Sequence, residues 1–403
     1  MKKVLLIYFL FSVCLSYAQQ FSLEQNDTLT KDKIEISFQS VIESASTSLP
    51  NSFVNKFMLG GEISSDLINQ SSLKQNNVNR YGLDFSSQIE LNLFNLKLGK
   101  VKKYSPLIVI GQSILGGIVY SKNWFDLIFK GNELIENNDF SGFNQRFISF
   151  QKIGFGIVNA KTKSNYRLNI YGINNYENLQ FSHFKIIQEN PLDSIRLQAL
   201  GDLNYTENKQ FINGFGVGFD IDYHYSFNLF KDEKSTFQFK VNNLGIGFIQ
   251  QNLHYHFNSD KMFSGYTLNQ ITSIENEFSW KDTLGVSEEM IKNKIVVLPA
   301  FFQIAKLIDF NSTKKLQSFF GVRGYLNLPY VPMLFIGGSY QLMKDWSINS
   351  QISIGGYSNT RVSTGIDYNR NHIKVRFGTN DIYGLVPSKG YNKSFQMSIL
   401  CEF

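Results

Sequence analysis

From Gly214 to Phe230 the chain reads GFGVGFDIDYHYSFNLF, and its two parities have little in common. Phe215, Val217, Phe219, Ile221, Tyr223, Tyr225, Phe227 and Leu229 occupy one; Gly214, Gly216, Gly218, Asp220, Asp222, His224, Ser226 and Asn228 occupy the other. A period of two belongs to a β-strand, whose successive side chains point to opposite faces. The C-terminal third repeats the pattern. Ribbons at 332–342, 346–356, 361–369 and 372–379 alternate apolar with polar or small residues, and MKD, YSNT and NRN turn the chain between them. Ribbons joined by tight polar turns predict an antiparallel meander.

Further strands are expected near 34–42, 55–63, 81–94, 106–120, 148–160, 164–173, 195–205, 213–229, 235–249, 295–306, 316–327 and 394–403. Three stretches break the rhythm. Residues 122–146 suit a loop with a short helical piece. Residues 253–294 include TLGVSEEMIKNK, where Val286, Met290 and Ile291 fit a surface helical turn. Residues 380–393 make a last long loop. Past residue 18 no apolar run is long enough for a membrane helix. The remaining way across a bilayer is a sheet without edges, because hydrocarbon leaves unpaired backbone groups unsatisfied. The expected fold is therefore all-β: a closed antiparallel transmembrane β-barrel of about 14 strands (12–16), with long extracellular loops and room for an N-terminal plug or lead segment.

Composition sharpens this picture. Of 403 residues only 18% are charged, while 37 Phe and 20 Tyr enrich a sequence with seven prolines. The first residues, MKKVLLIYFLFSVCLSYAQQ, combine Lys2 and Lys3, an apolar run from Val4 to Leu15 and Ser16-Tyr17-Ala18. They read as a signal peptide over 1–18, with one domain over 19–403. Its removal lowers the formal charge from +6 to +4 and leaves Cys401 as the one cysteine, so no intrachain disulfide is expected. The dispersed charge gives no sign of nucleic-acid binding.

Polar positions supply candidate chemistry. Asp220, Asp222 and His224 share one strand face; they suit an aqueous or protein-filled lumen, and, as a remote alternative, the water-activating groups of a barrel-rim hydrolase like the omptins. Arg361, Asp367, Lys374 and Arg376 point the same way on adjacent ribbons, with Asp367 placed to neutralise one base. His254 and His256 lie on one side of an extended segment expected to be loop, which is too few ligands for zinc. Gly214, Gly216 and Gly218 sit inside a ribbon with no helix after them. They suit room for a bulky neighbour better than a nucleotide loop. No metal, cofactor or catalytic residue is expected. Phe395, Met397, Ile399 and Phe403 alternate to an aromatic carboxy-terminus, the pattern of a barrel-assembly signal, with Cys401 on the lipid-facing parity.

SKNWFDLIFKGN, ISFQKIGFGI, FKVNNLGIGFIQQ, VVLPAFFQIAKL and the Phe-terminated finish resemble an uncharacterised family of Bacteroidota outer-membrane barrels, related in architecture to FadL-type and PorV-type barrels. The Asn-Pro-Ala segment of those chains is missing; SLPNSF at 48–53 is nearest. The resemblance implies an outer-membrane location in a diderm bacterium. Expected partners are outer-membrane lipid, the barrel-assembly machinery, and either a small or hydrophobic ligand or an envelope protein. The expected role is passive or FadL-like passage. The alternative is a structural barrel in an envelope complex such as type IX secretion.

Overall fold

Alternation becomes exposure in the computed structural model, which describes residues 24–25, 33–99, 103–131, 137–189, 194–207, 210–230, 233–263, 286–309, 314–370, 372–386 and 390–403. The expected signal peptide lies outside the described residues. Strands β1 (Ile34–Ser46), β2 (Asn79–Leu93), β3 (Tyr104–Tyr120), β4 (Phe143–Asn159), β5 (Asn165–Glu189), β6 (Ser194–Thr206), β7 (Gly214–Phe230) and β8 (Glu233–Phe263) form one part of the ring. It continues through β9 (Val286–Val297), β10 (Phe301–Lys306), β11 (Leu316–Tyr325), β12 (Val331–Met343), β13 (Trp346–Gly356), β14 (Thr360–Arg370), β15 (Ile373–Thr379) and β16 (Asn392–Glu402). β16 pairs antiparallel with β1 and closes the barrel. β6 and β7 share one ring position, as do β9 and β10, so the wall has 14 strand positions. The expected transmembrane barrel is the observed fold.

Leu168, Ile170, Phe215, Val217, Ile246, Ile336 and Ile352 are exposed on the outer parity, while Asp220 on the inner one is fully buried. Both terminal strands meet at one end, which also carries short turns such as 160–164 and 344–345. In an outer-membrane barrel this is the periplasmic end. Tyr104, Tyr166, Tyr223, Tyr225, Trp346 and Tyr368 lie toward it, with the Trp346 and Tyr368 rings 4.8 Å apart. Such a girdle buries aromatic rings while the polar tips stay wet.

Four expectations change. The stretch expected as strand 55–63 falls instead on helix α1 (Asn51–Leu59). Phe53 and Phe57 lie one turn apart, and Gly60, at φ 87°, follows the last helical residue. With α2 (Ser65–Leu73) and α3 (Lys122–Lys130), the helix rests on the outer rim, Phe53 packing on Phe125 and Phe129. The segment containing Val286, Met290 and Ile291 is not a helical turn but part of β9, because the upper half of β8 offers it a ladder. His254 and His256 lie in that upper half rather than in a loop. Finally, 195–205 is no separate wall position: β6 stands above β7 and completes an extracellular arm with β5, β8 and β9. Phe181, Phe184, Leu197, Tyr255 and Phe257 give that arm its own core.

Candidate functional site: a filled lumen

The barrel interior has two layers. Below, inward parity gathers charges into pairs. Asp220 accepts from Lys152 Nζ at 3.1 Å and from the Asn243 backbone N–H at 2.6 Å, and lies 3.4 Å from Arg167. Arg167 also reaches Glu90 at 2.9 Å. Asp222 meets His224 at 2.9 Å, Lys240 at 3.3 Å and the Gln238 amide at 2.8 Å. A buried charge persists only where partners replace its lost hydration, and these do so. Gln39, Ser86, Gln88, Ser113, Lys152, Asn242 and Asn243 line a central space of only about 50 Å³, with Phe301 and Tyr325 also lining it.

Above lies a file of rings. Phe301 and Tyr325 are 5.4 Å apart, Tyr325 and Tyr330 5.4 Å, and Tyr330 and Tyr357 4.8 Å. The file starts at β10 and crosses to β2 and β3 on the far wall. There the Tyr325 hydroxyl donates to Asp84 at 2.6 Å. The Tyr357 ring fills the place a side chain on Gly82 would occupy, and Pro329 with Tyr357 does the same at Gly117. Tyr330 and Tyr357 come from two short connections, 326–330 and 357–359, which fold inward as a lid. Leu115, Ile148, Phe150, Ile173, Ile249 and Leu298 pack around Tyr325 in the same core.

All seven expected lumen residues lie on inner parity, but they form no single site. Asp220, Asp222 and His224 on β7 sit nearly opposite Arg361 and Asp367 on β14. Arg361 is buried against Glu43, which also accepts from Asn380 at 2.6 Å. Arg376 pairs with Asp367, as expected of one of the bases, and Lys374 stands opposite Asn369. The glycines of β7 make room as expected: side chains on Gly216 and Gly218 would press on Tyr171 and on the backbone of β8. Sequence reading missed Lys152, Arg167, Lys240, Glu43 and the aromatic file; inward parity was the available signal for the four charged residues, whereas Tyr330 and Tyr357 stand in connections that have no parity. In the arm, His256 lies 3.0 Å from Asp202 and His254 2.9 Å from Asn204. Among the described residues no three ligands are grouped to hold a metal. Phe395, Met397, Ile399 and Cys401 share the outer parity of β16, and Phe403 is exposed.

No family model and no curated protein matches the chain. Solved structures similar to it include a Pseudomonas aeruginosa FadL homologue, at 9% identity over 92% of this chain and 89% of that one, TM-score 0.36. The Pseudomonas putida toluene transporter TodX gives 8% identity over 96% and 94%, TM-score 0.32. The translocator domain of the autotransporter NalP from Neisseria meningitidis gives 9% over 92% and 88%, TM-score 0.30. At scores this low the likenesses carry no functional argument, and the assignment as a transmembrane barrel rests on the chain's own closed ladder and apolar belt.

Proposed function

We propose that this chain is a non-enzymatic outer-membrane barrel that handles its ligand by gated passage, closed at rest. The observation that carries this reading is the kind of closure. A wall of 14 strand positions is wide enough for a lumen. Here that lumen is blocked at the outer end by two short turns bearing Tyr330 and Tyr357. Both turns are seated on glycines, and among the described residues no separate folded plug locks them. A seal this local can move without dismantling the wall, and beneath it lies the polar space around Lys152. Asp220, Asp222 and His224 then serve as the polar lining below the seal. Arg361 braces the lid from β14, and the last strand serves as the assembly signal.

The second reading, a permanently sealed barrel that works through envelope partners, is favoured by the exposed Phe57, Met58, Leu59 and Leu73 at the outer rim. Planar-bilayer recording of the full chain separates the two. The native barrel should be silent, and Tyr330→Ala/Tyr357→Ala should open discrete conductance steps. A native barrel with standing open-pore conductance would overturn gating. So would a double variant that keeps heat-modifiable migration yet stays impermeable.

A further inference from the structure

One row of the lipid-facing surface is polar. Ser40, Ser87, Gln112 and Gln151 are direct cross-strand neighbours on β1, β2, β3 and β4, and Gly172 continues the row on β5. Their outer parity is fixed by the next row toward the periplasm: Phe38, Ile89, Ile110, Ile153 and Ile170. From Tyr104 in the girdle to Gln112 is eight residues along β3. With ~3.3 Å per residue and a tilt of ~40°, the row lies about 20 Å above the girdle, in the outer part of an apolar band about 25 Å tall.

Polar groups on the lipid-facing parity elsewhere satisfy themselves. On the opposite wall Ser350 donates back to the Ser363 carbonyl at 3.3 Å, and Thr364 to that of Asn349 at 3.1 Å. The β1–β4 row does not. Ser40 is wholly buried with its Oγ unpaired, and the carboxamides of Gln112 and Gln151 make no hydrogen bond within the described protein. An amide facing hydrocarbon without a partner is strongly disfavoured. The same place is concave. Ile89, Ile110, Ile153, Phe155 and Ile170 line a groove of about 930 Å³ that Ile212 and Phe215 also border, while Gly172 contributes no side chain.

We propose that this groove seats the acyl chain of an outer-leaflet lipid, with Gln112 and Gln151 hydrogen-bonding the ester, amide or hydroxyl group that the chain carries near its head. Apolar walls take the chain, and the two carboxamides, each donor and acceptor, take the one polar group a lipid presents at that depth. A second copy of the barrel suits the groove less well. A two-fold contact would set concavity against concavity and enlarge the void instead of filling it. Beneath the groove the ladder through Ser87, Gln112, Gln151 and Gly172 is unbroken. A lipid there does not enter the lumen, so the inference stands or falls separately from gating.

The test reconstitutes the full chain with a phosphatidylethanolamine whose palmitoyl chain bears a diazirine, and maps adducts after illumination. Ile110, Ile153 and Ile170 should be labelled several-fold more than Ile336 and Ile352, which are comparably exposed on the opposite wall. Gln112→Leu/Gln151→Leu, with native heat-modifiable migration, should erase that enrichment. Even labelling of both walls, or enrichment that survives the double substitution, would overturn the proposal.

Discussion

The sector from β11 to β16 and the sector from β4 to β9 belong to one barrel but use alternation differently. In the first, strands run 7–13 residues and, apart from the 380–391 loop between β15 and β16, meet through short turns; outer residues such as Leu334, Ile352 and Phe377 alternate with inner Phe335, Ser353 and Arg376. In the second, β5 runs 25 residues and β8 runs 31. The register shift between Ile249 and Asn252 lies where β8 leaves β7 for β6 and enters the arm, and shifts between Phe181 and His183 and between His256 and Phe257 fall within the arm itself. Each shift re-aims the side chains beyond it. A strand that only spans a bilayer needs one pair of environments, whereas one that continues into a water-exposed sheet needs a second pair.

Three measurements put this contrast at risk. The greatest change is expected inside. Asp220→Ala deprives both Lys152 and Arg167 of their shared carboxylate in the long-strand sector and should cost about 3–5 kcal/mol. Asp367→Ala in the meander removes the partner of one cation, Arg376, and should cost less. Urea titration of the refolded barrel in liposomes gives both values, and the reverse order would refute the view that the long-strand sector is the more tightly charge-packed. Next is the wall. Ile352→Arg in the meander should cost about 2–4 kcal/mol. Leu200→Arg, exposed on the arm, should stay within about 0.5 kcal/mol. Equal penalties in the same titration would place the arm in lipid.

The slightest change lies at the arm's edge. Hydrogen bonds from Arg196 (2.6 Å) and Gln198 (3.1 Å) hold the Asp260 carboxyl down to about 2. A depressed carboxyl stabilises the fold above its ordinary range and loses that contribution as pH falls toward 2. Hydrogen exchange of β6 amides should thus be unchanged in relative protection between pH 7 and 5. Asp260→Asn should loosen the arm's tip without moving the barrel's midpoint. A shifted midpoint would join arm and wall into one cooperative unit.

Legibility follows the same division. In the meander, the strand expected at 346–356 has the limits observed for β13, because each residue there has one apolar and one polar environment to choose from. On β4, inner Ile148 and Phe150 belong to the luminal core while outer Ile153 and Phe155 meet lipid, so both parities read apolar and Lys152 is inconspicuous between them. Helix α1 is hard to read for a related reason: Phe53, Val54 and Phe57 fit either period over so short a span, and the contacts with α3 decide between them.

Alternation along the chain was enough to establish that it closes into a barrel, which parity of β7 meets lipid, and that Asp220, Asp222 and His224 look inward. Those outcomes depend on neighbouring residues and on the bilayer's refusal of unpaired backbone. That the lumen is filled, which cation neutralises which carboxylate, and that Tyr357 lies against Gly82 emerged only once the wall was assembled. Those contacts join residues far apart in the chain. They depend on ring order and shear, which a period of two does not encode.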